Sequence, residues 1–268
     1  MNATLLIIDP QNDFCDIEGA ALPVPGAQRD MLRLAQFIGA ANQSLAELIV
    51  TLDSHPSVAI ERTTFWRTGD GDAVASFTQV TEQQVRDGSY LPRDPARLPE
   101  VLTYLRALEG AGRYRLMVWP VHCVVGTWGH NVHAAVAPEI ARWEERVQRG
   151  ALKILKGLNP MTEQYSAVSA EVPLADDPST RPNRALIERA SASAGPLLVA
   201  GEASSHCVAA TMAHLFEELP ADVRGRVWLL QDCMSPVSGF EASAEAFFAS
   251  ARSLGARVIS SSDALAAL

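Results

Sequence analysis

The sequence predicts an α/β fold, a three-layer α/β/α sandwich built on a parallel sheet of about six strands. Short apolar runs alternate with amphipathic stretches along the whole chain, without internal repeats or low-complexity segments. Strands that alternate with helices form right-handed crossovers, which place helices on both faces of a parallel sheet. A chain of 268 residues, 48% of them hydrophobic, can bury one sizeable core, so residues 1–268 are expected to form a single domain.

The individual elements follow from the period of the apolar residues. Apolar runs of four to six residues are typical of buried strands, whereas a repeat of three to four residues is typical of an amphipathic helix. The predicted strands cover residues 3–8, 47–52, 114–118, 151–155, 197–200 and 226–231, with a last short strand at 257–259. The predicted helices cover residues 27–41, 96–109, 129–146, 183–193, 206–218 and 240–253.

Residues 57–95 are predicted to form an insertion with irregular structure. Connections longer than about 15 residues are uncommon and usually serve as lids or binding loops. Four aromatic residues favour an ordered segment here: Phe65, Trp66, Phe77 and Tyr90. We therefore expect a lid over a site or a contact between subunits of a homo-oligomer.

Charge and cysteine usage exclude several classes of protein. The net charge of −9 argues against nucleic acid and anionic membrane as partners. The four cysteines are widely spaced without a CxxC pair, which argues against a disulfide framework and a zinc ribbon. No apolar run of membrane-spanning length and no signal-like leader is present, so a soluble, cytoplasmic protein is expected.

Chemically active side chains follow three of the predicted strands. Asp9 ends the run LLIID, Lys156 ends LKILK, and Cys207 lies in a turn between LLVA and a helix. Because the carboxyl ends of parallel strands share one edge, we expect an acid, an amine and a thiol to meet there. The field of the helix N-terminus is expected to lower the pKa of the Cys207 thiol and to stabilise an oxyanion. The alternative is a buried cysteine that only packs.

A second cluster suits a metal ion. Asp53 and His55 follow the strand at 47–52, and His122 follows the strand at 114–118. Residues two apart in an extended segment point the same way, so Asp53 and His55 can share a ligand. A carboxylate and two imidazoles suit zinc or another borderline divalent ion and leave positions open for water or substrate. The alternative is that each histidine caps or packs locally.

Four motifs resemble those of the nicotinamidase/isochorismatase-like cysteine hydrolases, in particular the metal-dependent nicotinamidase branch. They are DPQNDF, WPVHCVVGT, KG followed later by YSA, and SSHCV, and the resemblance extends from residue 4 to about residue 265. It implies the same α/β sandwich. It also implies an enzyme that releases ammonia from a small carboxamide, with nicotinamide as the first candidate substrate.

The resemblance also assigns catalytic roles. Cys207 is expected to attack the carboxamide carbon, Asp9 to carry its proton, and Lys156 to balance the two negative charges. The backbone N–H groups of Ala203 and Cys207 are expected to form the oxyanion hole, with a cis peptide bond before Ala203.

The resemblance further implies a metal site and a substrate-binding wall. Asp53, His55 and His122 match the nicotinamidase ligands, with zinc expected first and manganese or iron as alternatives. The family often has a second histidine where this chain has Ala59. The candidates for sandwiching an aromatic substrate, each equally explicable as core, are Phe14, Trp119 and Tyr165.

Two other functions stay open from the sequence. Ala59, Trp128 and the 57–95 insertion depart from the nicotinamidase pattern, which favours a related amidase for another small amide or ureido compound. A non-catalytic α/β interaction module would lack part of the triad, but Asp9, Lys156 and Cys207 are all present. The ether-cleaving isochorismatases are disfavoured because they lack the nucleophilic cysteine.

Overall fold

The computed structural model describes residues 2–268. In this range the strands are β1 (Ala3–Ile8), β2 (Leu45–Asp53), β3 (Trp66–Thr68), β4 (Thr78–Val80), β5 (Tyr90–Pro92), β6 (Leu116–Val118), β7 (Leu152–Lys156), β8 (Leu197–Gly201), β9 (Val227–Leu230) and β10 (Arg257–Ile259). The helices are α1 (Ala27–Ala41), α2 (Glu82–Arg86), α3 (Leu98–Ala111), α4 (Val136–Val147), α5 (Arg184–Ser191), α6 (Cys207–Glu218), α7 (Ala221–Arg224), α8 (Glu241–Ser253) and α9 (Ser261–Ala267).

A parallel sheet of six strands lies at the centre, in the order β10-β9-β8-β1-β2-β7. Strand β1 alternates between the two faces: Leu5 and Ile7 belong to the apolar cluster with α1 and α4, and Leu6 and Ile8 to the cluster with α5 and α6. Helices therefore cover both faces, and the predicted α/β/α sandwich is confirmed. None of the helices between residues 2 and 268 is long and apolar enough to cross a membrane.

The composition of the sheet differs from the prediction at one strand. The run at 114–118 forms only the short strand β6, which pairs antiparallel with β4 of the insertion and lies outside the parallel sheet. Its place among the six strands is taken by β10, which pairs with β9. The apolar pattern could not separate these outcomes because both strands are short runs that contain apolar residues. His122 consequently does not follow a strand of the central sheet.

The 57–95 insertion is ordered, as its aromatic residues indicated, but the expected irregular structure was wrong. It contains α2 and the short strands β3, β4 and β5. These pack with α3 and β6 around an apolar cluster that includes Phe65, Trp66 and Val101. A capping box between Thr81 and Gln84 starts α2. That the insertion acts as a lid, and that residues 1–268 act as one domain, stay predictions.

The helix predicted for 129–146 begins only at Val136. Backbone groups of the preceding residues instead bind the segment after β1, through Asn12 N to Asn131 O (3.0 Å), Asp13 N to Gly129 O (3.1 Å) and His133 N to Pro10 O (2.8 Å). These bonds compete with a helical path. The other predicted helices differ from the observed ones by up to two residues at each end, and α2, α7 and α9 were not predicted.

The ends of β1 and β8 approach closely at one glycine. Gly201 pairs with Ile8, has a φ of 122°, and a Cβ added there would lie 1.9 Å from the Ile8 carbonyl oxygen. A side chain at this position would push the two strand ends apart. Glycine is therefore required at position 201 for the ends of β1 and β8 to stay paired where they reach the site.

We expect Gly201→Ala to lower the free energy of unfolding by about 3 kcal/mol or more, because a left-handed φ and a backbone clash add together. Gly239→Ala is the matched control, since Gly239 has a φ of 85° but no atom within 4 Å of the added Cβ. The control should lose only about 1–2 kcal/mol. Urea unfolding monitored by circular dichroism measures both, and equal losses would contradict the proposed close approach.

Candidate active site

The carboxyl edge of the sheet brings Asp9, Lys156 and Cys207 together. Lys156 Nζ lies 3.0 Å from Asp9 Oδ2, 3.5 Å from Cys207 Sγ and 2.7 Å from Asp53 Oδ1. All four side chains are buried. Asp9 follows β1, Lys156 ends β7, and Cys207 begins α6, so the parallel register of three strands places the acid, the amine and the thiol in contact.

Asp9 is held in a fixed orientation. Its backbone has a φ of 46°, in the left-handed region that few side chains other than asparagine and aspartate adopt. The Thr51 hydroxyl donates to Asp9 Oδ1 at 2.6 Å and accepts from the Asp9 N–H at 3.1 Å. Oδ2 remains on the side of Lys156. Backbone strain of this kind is common where side chains are positioned for chemistry.

Burial and mutual charge decide the protonation of the cluster. Burial alone would lower the pKa of Lys156, but the carboxylates of Asp53 and Asp9 outweigh it and raise that pKa well above its usual value. Lys156 is therefore a permanent cation. Burial also raises the pKa of Asp9, an effect that Lys156 partly offsets.

The expected low pKa of the Cys207 thiol is wrong for this structure. Burial raises the pKa of Cys207 well above its usual value, although Lys156 acts in the opposite direction, and the nearby Asp9 raises it further. The field of the helix N-terminus does not outweigh desolvation of the thiolate. The thiol is therefore protonated at rest and needs a base at the moment of attack. Asp9 is placed for that role.

The turn before α6 places two N–H groups beside the thiol. The peptide bond between Glu202 and Ala203 is cis, as the family resemblance implies. The Ala203 carbonyl accepts from the N–H groups of His206 and Val208, which closes the turn. Between residues 2 and 268, no hydrogen-bond acceptor is assigned to the N–H of Ala203 or of Cys207. Both groups are thus available to an oxyanion.

Asp53, His55 and His122 form a buried cluster with the geometry of a metal site. Asp53 Oδ1 lies 2.8 Å from His55 Nε2, and Asp53 Oδ2 lies 3.2 Å from His122 Nε2. The three ligand atoms lie within 4.8 Å of one another. Burial would raise the pKa of Asp53, but His55 and Lys156 hold it well below its usual value, so the carboxylate is ionised.

The second nitrogen of each imidazole also has a partner. His122 Nδ1 donates to the Pro120 carbonyl at 2.8 Å, and His55 Nδ1 lies 3.1 Å from Glu61 Oε1. Such outer contacts fix the tautomer in which Nε2 carries the lone pair toward the shared site. The residues therefore fit a divalent metal ion, and Glu61 is a contributor that the sequence did not identify.

The polar residues after Asp9 connect the segments of the site. The Gln11 side chain donates to the Asp53 carbonyl at 2.8 Å and accepts from the Asp53 N–H at 2.7 Å. Asn12 donates to the Trp128 carbonyl at 2.8 Å, and Asp13 accepts from the Cys123 N–H at 2.6 Å. The sequence motif DPQNDF thus contributes one reactive group and three structural ones. In the sequence, the indication of this structural role is the run of polar residues directly after a buried strand.

A small pocket in front of Cys207 is lined by aromatic residues. Phe14, Trp119 and Tyr165 all line it, and Trp119 Nε1 donates to the Tyr165 hydroxyl at 3.0 Å. The ring of His206 also lines the pocket, with its centroid 5.3 Å from the Trp119 ring centroid. The structure places the three predicted aromatic residues together beside the thiol.

Three charged residues of the pocket were not predicted: Glu61, Arg62 and Glu163. All three are buried, although charged residues are seldom buried without partners. Burial and the Glu61 carboxylate raise the pKa of Glu163 to about 8, so this carboxyl is mostly protonated at neutral pH. The only sequence signal was the adjacent acid and base, Glu61 and Arg62, inside the insertion.

Comparisons with known proteins show which proteins this chain resembles in sequence and fold. No family model matches the sequence. The curated nicotinamidase of Saccharomyces cerevisiae is 24% identical over 164 residues, a match that covers 61% of the chain and 61% of the relative. The chain is thus similar in sequence to a nicotinamidase. The match leaves more than a third of that relative's length uncovered.

Solved structures of nicotinamidases and pyrazinamidases share the fold over almost the whole chain. The yeast nicotinamidase Pnc1p bound to the inhibitor nicotinaldehyde has a TM-score of 0.66 and 19% identity, covering 96% of this chain and 99% of that one. An Acinetobacter baumanii nicotinamidase/pyrazinamidase has a TM-score of 0.65 and 19% identity, covering 98% and 97%. The Pyrococcus horikoshii pyrazinamidase in complex with zinc has a TM-score of 0.53 and 19% identity, covering 97% and 99%.

The raised pKa of Glu163 predicts a pH dependence of stability. The folded state keeps this proton up to about pH 8, whereas an unfolded glutamate with a pKa near 4.5 releases it earlier. Between these values the unfolded state binds fewer protons, so the free energy of unfolding falls as pH rises, by about 1 kcal/mol per pH unit for this group. Glu163→Gln removes that contribution.

Urea unfolding between pH 5.5 and 7.5, with chelator present, tests this prediction. The wild type should lose stability with rising pH more steeply than Glu163→Gln. Glu188→Gln is the control, because Glu188 lies exposed on α5 and should leave the slope unchanged. Equal slopes for the wild type and Glu163→Gln would show that Glu163 is ionised in the folded state.

Proposed function

We propose that this chain is an amidohydrolase that releases ammonia from a small carboxamide through a cysteine acyl-enzyme, with nicotinamide to nicotinate as the first candidate reaction. The observation that carries the proposal is the buried contact of one ammonium, Lys156, with Asp9 and Cys207. A packing cysteine would not need a buried acid and a buried amine beside it. A related amidase for another amide or ureido compound is the alternative.

The catalytic steps follow from the protonation of the site. Asp9 removes the thiol proton as Cys207 Sγ attacks the carboxamide carbon, and the N–H groups of Ala203 and Cys207 stabilise the resulting oxyanion. Asp9 then gives the proton to the leaving nitrogen, which departs as ammonia and leaves a thioester. Water attacks the thioester with Asp9 as base and releases the carboxylic acid and the thiol. The Lys156 ammonium group compensates the negative charges of Asp9 and Cys207 in every step.

Asp53, His55 and His122 would hold a divalent metal ion, and we propose zinc, as in the Pyrococcus horikoshii pyrazinamidase complex. When bound, the ion supplies a Lewis acid that orients a ring nitrogen of the substrate. The bond-making steps use only Cys207 and Asp9.

We infer that the aromatic residues of the pocket hold the substrate ring. Phe14, Trp119 and Tyr165 present apolar surface to the space in front of Cys207. We also infer that the 57–95 insertion acts as a lid, because it supplies Glu61 and Arg62 to the same pocket. Its removal from the pocket would expose the thiol to water.

We expect Cys207→Ala to abolish ammonia release and Asp9→Asn to reduce it by about 100-fold or more, since a positioned acid/base contributes on that scale. A coupled assay of ammonia measures both variants. Cys233→Ala is the control, because Cys233 is buried beside Asp232 in a different loop and should keep wild-type turnover. Substantial turnover by Cys207→Ala would move the chemistry to another nucleophile.

We expect Glu61→Gln to lower the affinity for zinc by about 10- to 100-fold, because the carboxylate orients His55. Competition with a chromogenic chelator measures this affinity without reference to activity. His133→Gln is the control, since His133 only bonds the neighbouring backbone and lies outside the metal cluster. Unchanged zinc affinity in Glu61→Gln would remove Glu61 from the metal site.

A further inference from the structure

Arg62 is the least expected residue of the pocket. It is 0% exposed, lines the same pocket as Cys207, and contacts the ring of His122 and, at 3.2 Å, the Pro120 carbonyl. Its Nη2 has no hydrogen-bond partner among residues 2–268. A guanidinium without full pairing is costly to bury, so its retention here calls for a ligand.

The charge of Arg62 is incompletely balanced. Between residues 2 and 268, Glu61 is the one carboxylate within ion-pair distance, with Oε1 3.2 Å from Arg62 Nε. The same oxygen lies 3.1 Å from His55 Nδ1, so Glu61 is shared. The guanidinium presents five donors in a rigid fork. The ion pair involves Nε, and Nη1 contacts the Pro120 carbonyl and the His122 ring. The Nη2 side remains for a molecule in the pocket.

Glu163 adds a donor to the same pocket. Its Oε1 accepts from the Gln164 N–H at 3.0 Å, whereas its Oε2 has no partner among residues 2–268. Since burial raises the pKa of Glu163 to about 8, this carboxyl is neutral when the substrate enters and can donate a hydrogen bond. Arg62 Nη2 and the protonated Glu163 carboxyl are thus two hydrogen-bond donors in one pocket without partners among residues 2–268. They favour a ligand with a negatively charged hydrogen-bond acceptor.

A chain of contacts separates Arg62 from the nucleophile. Cys207 touches Lys156, Lys156 touches Asp53, Asp53 touches His122, and His122 touches Arg62. The thiol and the guanidinium line the same pocket, and three other side chains link them. A molecule that meets both must carry its two functional groups on a short spacer.

We infer that the substrate is the monoamide of a small dicarboxylic acid, whose carboxamide meets Cys207 while its free carboxylate binds Arg62. The spacer is one aromatic ring or a short carbon chain. A carboxylate accepts a charge-assisted hydrogen bond from the free Nη2 of the guanidinium, which gives both affinity and orientation. A neutral amide such as nicotinamide would leave Arg62 unpaired. This inference rests on the proposed amidohydrolase function and, within it, favours the alternative of another small amide over nicotinamide.

Matched pairs of acid and amide test the inference. The monoamide of pyridine-3,5-dicarboxylic acid is compared with the corresponding diamide, and the monoamide of a four-carbon diacid with its diamide. Each pair differs by one charge at nearly constant size. In the wild type we expect at least a 10-fold higher kcat/KM for the better monoamide than for its diamide, expressed mainly in KM. Initial rates of ammonia release give these values.

Variants of Arg62 assign the preference to this residue. Arg62→Met should remove the preference for the monoamide, and Arg62→Lys should restore part of it, because the charge returns without the fork. Calorimetric binding of the monoamide to Cys207→Ala, with and without Arg62→Met, measures the same selectivity without turnover. Thermal unfolding shows whether each variant folds. If Arg62→Met does not fold, the monoamide and diamide rates of the wild type decide whether the substrate carries a free carboxylate.

The two possible failures are distinguishable. If no amide releases ammonia but the monoamide still binds Cys207→Ala more tightly than the diamide, the proposed reaction fails and the anion site stands. If amides are hydrolysed but the diamides or nicotinamide are preferred, the anion site is wrong and the reaction stands. A monoamide preference that survives in a folded Arg62→Met also overturns the assignment to Arg62.

Discussion

One buried ammonium group holds this site together. Lys156 lies between the carboxylates of Asp9 and Asp53, at 3.0 and 2.7 Å, with the Cys207 thiol at 3.5 Å. Without it, two carboxylates would be buried near one another with no compensating charge, an arrangement that proteins avoid by taking up a proton. The catalytic acid, the nucleophile and the candidate metal cluster therefore depend on the same cation. The strand register that delivers Lys156 beside Asp53 is in turn a requirement of the whole site.

The rest of the site consists of contacts that fix these few groups. Thr51 orients Asp9, Gln11 holds the backbone of Asp53, and Asp13 holds the loop that carries Cys123 and its neighbour His122. Each of these bonds joins segments that are far apart in the chain. The rigidity of the edge is thus distributed, because every reactive group is oriented by a residue of another strand or loop.

The sequence was sufficient for the parts of the structure that depend on local pattern. Asp9, Lys156 and Cys207 could be placed together because parallel strands end at one edge, and β1 and α1 were predicted within their observed bounds. The sequence did not reveal which strands pair with one another. Strand β6 pairs with β4 and not with the central sheet, because the insertion provides a strand edge for it. The raised pKa of Cys207 also escaped prediction, since it depends on desolvation by residues distant in sequence. Glu61 and Arg62 were missed because an isolated acid–base pair in a loop is usually solvated.

The site draws its residues from two structurally separate sources. The strand ends and the turn before α6 supply the reacting groups, whereas residues of the 57–95 insertion form part of the pocket wall. The insertion has its own apolar cluster, so its sequence can vary with little effect on the sheet. Because of this division, substitutions in the pocket wall can change which molecules enter the site, in evolution or by design. The reactive groups at the sheet edge stay unchanged. Residues 59–62 are the natural place to begin such an exchange.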